Sequence, residues 1–183
     1  NAGKLFGLAY KHGPEVVAID APLGLPKGMD CLEEDHHCQS DWDFKGRLAD
    51  RQIIELGMSI YVITKRTFIK PMVYRAIELM EALQGQMREV IEVYPYASKV
   101  RLFGNRVPKK TTRAGLEFLQ GHLSALIPTL NQYKGQLDHD LYDALVAAYT
   151  AYLYRQGLTD LLGIDGEGRI VLPVSVDTAY KPC

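Results

Sequence analysis

Cysteine is scarce in this chain. Its three cysteines, an odd number and widely spaced, form no disulfide framework, and a reducing, cytoplasmic setting is the natural expectation. Long hydrophobic runs are missing too. The longest uncharged apolar stretch, 144–154, has 11 residues and includes Thr150. That is too short to cross a bilayer, so no membrane partner is expected. No signal-peptide pattern opens the sequence, no glycine-rich phosphate loop of the P-loop type occurs, and no repeat or linker divides the chain. Charge of one overall sign is also lacking, with a formal net charge of −1.

What is present suffices for one domain, 1–183. Hydrophobic residues make up 47%, enough to build a core and to exclude disorder as the default. The balanced charge hides two patches. Asp30, Glu33, Glu34, Asp35, Asp41 and Asp43 form an acidic run without Lys or Arg. Lys99, Arg101, Arg106, Lys109, Lys110 and Arg113 form a basic run without an acid. The basic run suits phosphate contact, with Lys109, Lys110 and Arg113 the candidates for nucleic acid. The alternative is a solvated loop, or a patch that answers the acidic run within the fold.

The periodicity predicts helices near 3–12, 47–57, 71–86, 96–103, 112–130 and 137–156. Strands are predicted at 15–20 and 88–95, with extended pieces at 59–64 and 168–173. Pro71 suits a first helical turn. A polar excursion fills 24–46. Strands alternating with helices imply an α/β fold with a partly parallel sheet flanked by helices. The sheet so derived is narrow for its helices, and further strands before residue 1 are expected. The opening residue is not methionine, which fits a processed or truncated N-terminus.

Polar residues then stand out against apolar runs. In VVAIDAPLGLP, 16–26, a β-branched run ends at Asp20 and is stopped by Pro22, Gly24 and Pro26. Asp20 thus falls at a strand's carboxyl end, where open α/β sheets bind ligands, unless it only caps the turn. VIEVYP repeats the pattern with Glu92, and parallel strands would bring both carboxylates to one rim. In LDHDLYDALVAAYTAYLY, Asp140 and Asp143 are three apart and share a helix face, with Ala144, Ala147 and Ala151 continuing the stripe. Asp138 or Asp140 also suits N-terminal capping. Hard oxygen donors such as Asp20, Glu92, Asp140 and Asp143 favour Mg²⁺ or Mn²⁺.

VVAIDAPLGLP, the element Arg47-Leu48-Ala49-Asp50-Arg51, VIEVYP, KKTTRAGLEFL and DLYDALVAAYTAYL occur in that order. Together they resemble the predicted nucleases of ribonuclease H-like fold catalogued as a domain of unknown function. The resemblance covers most of the chain from about residue 15. It implies a ribonuclease H-like core, with Asp20, Asp140 and Asp143 as metal ligands and Glu92 nearby. Members of that family open with strands, the first carrying an aspartate, and such strands are expected to precede residue 1 here. Metal-dependent cleavage of a nucleic-acid phosphodiester is the leading expectation. An ATP-dependent phosphotransferase of related fold and a catalytically inactive binding module are the alternatives.

Other residues invite notice. CLEEDHHC, 31–38, offers Cys31, His36, His37 and Cys38 as soft ligands for zinc, though not in the usual spaced pairs. His139 adjoins the aspartate pair and is placed to assist a proton transfer or to face solvent. His122 is isolated. Trp42 is expected to anchor the excursion. Ser98 and Cys183 have no visible base partner.

Overall fold

The structure, a computed structural model, describes residues 2–41, 43–85, 88–104 and 107–175. Trp42, Arg106 and Cys183, noted above, lie outside the described residues. The elements in chain order are α1 (Ala2–His12), β1 (Val16–Ile19), α2 (Leu48–Glu55), α3 (Lys70–Gln84), β2 (Glu89–Val93), α4 (Pro95–Phe103), α5 (Arg113–Leu126), a 3₁₀ turn (Pro128–Tyr133), α6 (His139–Arg155), β3 (Thr159–Leu162) and β4 (Ile170–Pro173). The fold is α/β, a small mixed open sheet flanked by helices. No helix among the described residues is long and apolar enough to cross a membrane.

The sheet runs β1-β2-β4-β3. β1, β2 and β4 are parallel, and β3 returns antiparallel to β4. Sequence periodicity misses β3. Its four residues carry Asp160 and form a strand only by pairing with β4 across a glycine-containing turn. The predicted piece 59–64 does not join the sheet. Ile63 is fully buried there, and its N–H donates to the Asp50 carboxylate at 3.0 Å instead of to a neighbouring strand. The helix predicted over 112–130 stops at Leu126, because Pro128 pushes Ile127 out of helical geometry, to φ −130 and ψ 83.

Side chains alternate along the strands and split the core in two. Ile91, Val93 and Val171, with Val16 and Ala18, face α6 and pack on Ala147 and Ala151. Ile19 and Val90 face α3, where they join Ala21, Leu23 and Ala76. α2 sets Ala49 and Ile53 against Ile170 and Leu172, with Ala97 of α4 in the same cluster. Beyond α6, Tyr142 and Val146 pack on Leu119 and Leu123 of α5. The Tyr142 hydroxyl donates to Gln120 Oε1 at 2.7 Å, which satisfies both buried polar groups.

Gly24 and Gly168 are among the glycines that close approach requires. A Cβ on Gly24 would lie 2.4 Å from the backbone of Glu167, and Gly168, at φ +82, leaves no room beside Glu92 and Arg47.

Candidate functional site

β1 ends against α6, and the register pairs Ile19 with Glu92. Asp20 therefore continues the Val16, Ala18 face toward α6. Glu92 alternates with Ile91 and Val93 and points to the opposite face. The two carboxylates that the sequence sets at one rim are thus on different sides of the sheet.

Along β1, at the edge of the sheet, Asp20, Lys110, Asp140 and Asp143 line one cavity of about 640 Å³. Its remaining walls are largely apolar, from Leu5, Leu8 and Ala9 of α1 to Leu79 and Leu83 of α3. Asp138 caps α6 by accepting from the Asp140 and Leu141 N–H groups at 3.1 and 2.9 Å, leaving Asp140 and Asp143 for other contacts. The helix turn separates those two. Asp143 shares a buried stripe with Ala147 and Ala151, whereas Asp140 shares an exposed one with Ala144 and Ala148. Small residues at both stripes keep α6 close to the sheet edge and the cavity open.

Asp143 is the centre of the polar rim. Its Oδ1 accepts from Lys99 Nζ at 2.7 Å, and the two side chains are 10% and 3% exposed. Its Oδ2 accepts from Lys110 Nζ. The same ammonium is 4.0 Å from Asp140 Oδ1. His139 Nδ1 lies 2.9 Å from that oxygen. Asp20 meets solvent on the cavity side and protein elsewhere. Its carboxyl is pushed up to about 6, first by this burial and then by the negative charge of Asp143, with Lys110 and Lys99 opposing. Tyr94, just past β2, is pushed up to about 12 by burial and then by Asp20, and its hydroxyl donates to the Ser59 carbonyl at 2.7 Å.

Glu92 is outside this cavity's lining. It accepts from Arg47 Nη1 and Nη2 at 2.7 and 2.8 Å, and from Leu23 N at 2.8 Å. Arg47, fully buried, also binds Asp50 through Nε and Nη2 at 3.2 and 2.8 Å and the Glu167 carbonyl at 3.3 Å. Glu167 in turn accepts from Leu48 N, the first free N–H of α2, at 2.8 Å, and from Lys27 N at 2.6 Å. This closed network ties the turn after β1, α2, β2 and the loop before β4 together behind the cavity.

The basic run divides. Lys99 and Lys110 enter the rim, Lys109 stays exposed, and Arg113, with a 92% exposed side chain, pairs with Glu117 at 2.8 Å. The acidic run is answered by other bases: Lys27 with Asp41, Arg66 with Glu34 and Lys70 with Glu33. Sequence reasoning missed Lys99 and the Arg47 network as parts of this architecture. Arg47 was visible only as a member of a motif. Nothing in the local sequence marks Lys99 as buried, since that depends on α4 packing against α6.

Residues 63–167 match the family described as "Protein of unknown function (DUF429)". The chain belongs to this family. The matched DUF429 span holds Lys99, Lys110, Asp140 and Asp143 at the rim, and Glu92 and Glu167 behind it. Asp20, Arg47 and the 24–46 excursion precede it. No curated protein and no solved structure matches the chain.

Proposed function

We propose that this protein is a metal-dependent nuclease with a ribonuclease H-like core, in which Asp20, Asp140 and Asp143 hold Mg²⁺ or Mn²⁺ and a nucleic-acid phosphodiester is hydrolysed. One observation carries the reading: three carboxylates and a cation, the Lys110 ammonium, line one cavity. The ammonium touches Asp143, approaches Asp140, and its charge acts on Asp20. The donor set is hard oxygen throughout, which fits either ion. The Asp20 carboxyl, raised first by burial and only then by Asp143, would gain from a further positive charge, which supports the same reading. Bound there, the ion would activate water and stabilise the leaving oxygen.

The chain's own residues have distinct roles. Lys99 fixes the Asp143 carboxylate from the buried side. Lys110 offsets the negative rim and, its side chain being 40% exposed, would have room to turn toward solvent if an ion were held there. Lys109 and Arg113 contact flanking phosphates; the exposed Arg113–Glu117 pair is weak enough to yield. Glu92 is a positioning residue, held by Arg47 and holding the turn after Asp20 through Leu23 N.

A second reading, a binding module with a neutralised site, is favoured by one fact: both Asp143 oxygens already have ammonium partners. A cleavage assay separates the two. Single- and double-stranded DNA and RNA are incubated with the protein and Mg²⁺, Mn²⁺ or EDTA. The nuclease reading expects metal-dependent products that disappear in Asp20→Asn and Asp140→Asn, and tighter Mg²⁺ binding in Lys110→Ala. Salt-sensitive binding without cleavage in either metal supports the module. Neither binding nor cleavage overturns both.

A further inference from the structure

The polar excursion holds a second constellation, unrelated to the carboxylate rim. The ligand atoms of Asp30, Cys31, His36 and Cys38 all lie within 4.8 Å of one another. Sequence spacing had offered Cys31, His36, His37 and Cys38; the chain's path replaces His37 with Asp30. Cys31 Sγ and Cys38 Sγ are 3.9 Å apart, and both are free thiols. A disulfide needs about 2.05 Å. Two thiolates on a tetrahedral zinc, each at about 2.3 Å, stand about 3.8 Å apart. His36 Nδ1 and Asp30 Oδ1 are 3.3 Å apart. Nitrogen and oxygen ligands at about 2.0–2.1 Å give a tetrahedral edge of about 3.3–3.4 Å. Both edges therefore have the lengths that one ion would impose.

The loop is held in this form from outside the cluster. Leu32 is fully buried among Ile63 and Val73, and its N–H donates to the Tyr74 hydroxyl at 2.7 Å. Tyr74 donates onward to Glu33 at 3.0 Å, and Lys65 Nζ donates to the His36 carbonyl. Leu32 thus pins the ligand-bearing turn to α3, leaving the ligand side accessible.

We propose that Asp30, Cys31, His36 and Cys38 bind one zinc ion in a structural site. Two thiolates, one imidazole and one carboxylate supply four protein ligands and complete a tetrahedron, so no position remains for substrate. The ion fastens the 24–46 excursion, whose far end delivers Arg47 into its buried network.

Co²⁺ titration of the full chain, reduced and freed of metal by chelator, tests this. The expected result is a thiolate-to-cobalt band in the near ultraviolet, with intense tetrahedral bands in the visible, that saturates at one equivalent and is displaced by Zn²⁺. Cys31→Ser and Cys38→Ser should each weaken binding by more than the roughly 10- to 100-fold that loss of a supporting contact costs. Asp30→Asn, at an exposed position that leaves the fold intact, should keep the thiolate band but bind more weakly. His37→Ala and Cys183→Ser should change nothing. Circular dichroism checks that each variant is folded. Absence of a thiolate–cobalt band in the reduced protein overturns the proposal. So does a band that survives both Cys31→Ser and Cys38→Ser, or one lost in His37→Ala. In those cases the cluster is a hydrogen-bonded thiol pair beside an Asp30–His36 ion pair.

Discussion

Replacing Arg47 with methionine should cost this protein a large part of its stability. The guanidinium has five N–H donors, and its bonds use all of them: two to Asp50, two to Glu92 and one to the Glu167 carbonyl. Arg47 and Asp50 side chains are wholly buried, and that of Glu92 is 4% exposed. Methionine fills similar space but leaves both carboxylates in the interior without their cation. Breaking a buried pair from one side costs about 3–5 kcal/mol, and two acids lose their partner here. For a chain of this size each kcal/mol lowers Tm by about 2–4 °C, so the fall should be about 6–20 °C. Urea denaturation gives the free energy and a thermal melt gives Tm. Arg47→Lys should fall between, since an ammonium keeps the charge but cannot span both carboxylates with a planar fork. Adding Glu92→Gln to Arg47→Met should recover part of the loss, because one unpaired charge is removed. A melt of Arg47→Met within about 2 °C of the parent, less than 1 kcal/mol, would refute the closed, dry network.

Two further predictions concern the rim. Asp20 keeps its proton more tightly when folded, at about 6 against an ordinary 3.8, so raising pH through that window weakens the folded state. Asp20→Asn cannot ionise and should melt higher than the parent at about pH 8, with the gain vanishing near about pH 4; an equal gain at both pH values would rule out this titration. Asp143→Asn, which sequence reasoning alone would expect to fold normally, should lose about 3 kcal/mol or more in urea denaturation, because Lys99 stays buried without its counter-charge. Lys99→Met in that background should restore much of the loss, and an unchanged midpoint in Asp143→Asn alone would contradict the buried pair.

Local sequence carried the helices and strands whose apolar periodicity is strong, because burial of one face is written into spacing. It placed β1, β2 and β4 and started α3 at the proline that suits a first turn. It failed where an element exists only through a partner. β3 needs β4 to close its hairpin, and 59–64 gave its N–H at Ile63 to a carboxylate thirteen residues earlier. The excursion 24–46 looked structureless, yet Leu32 anchors it in the core.

The sequence by itself determined the α/β class, the position of Asp20 at a strand end and the concentration of acids on α6. Those follow from residue type and spacing along one element. Tertiary structure alone decided which charges meet. A one-residue difference in strand parity sends Asp20 to the cavity and Glu92 to Arg47, because side chains alternate between faces. The packing of α4 on α6 turns Lys99 from one base in a run into the buried partner of Asp143. The path of the excursion substitutes Asp30 for His37 beside the two thiols. In each case the deciding quantity is a distance between residues far apart in the chain or a direction across an element, and neither is encoded by composition or local pattern.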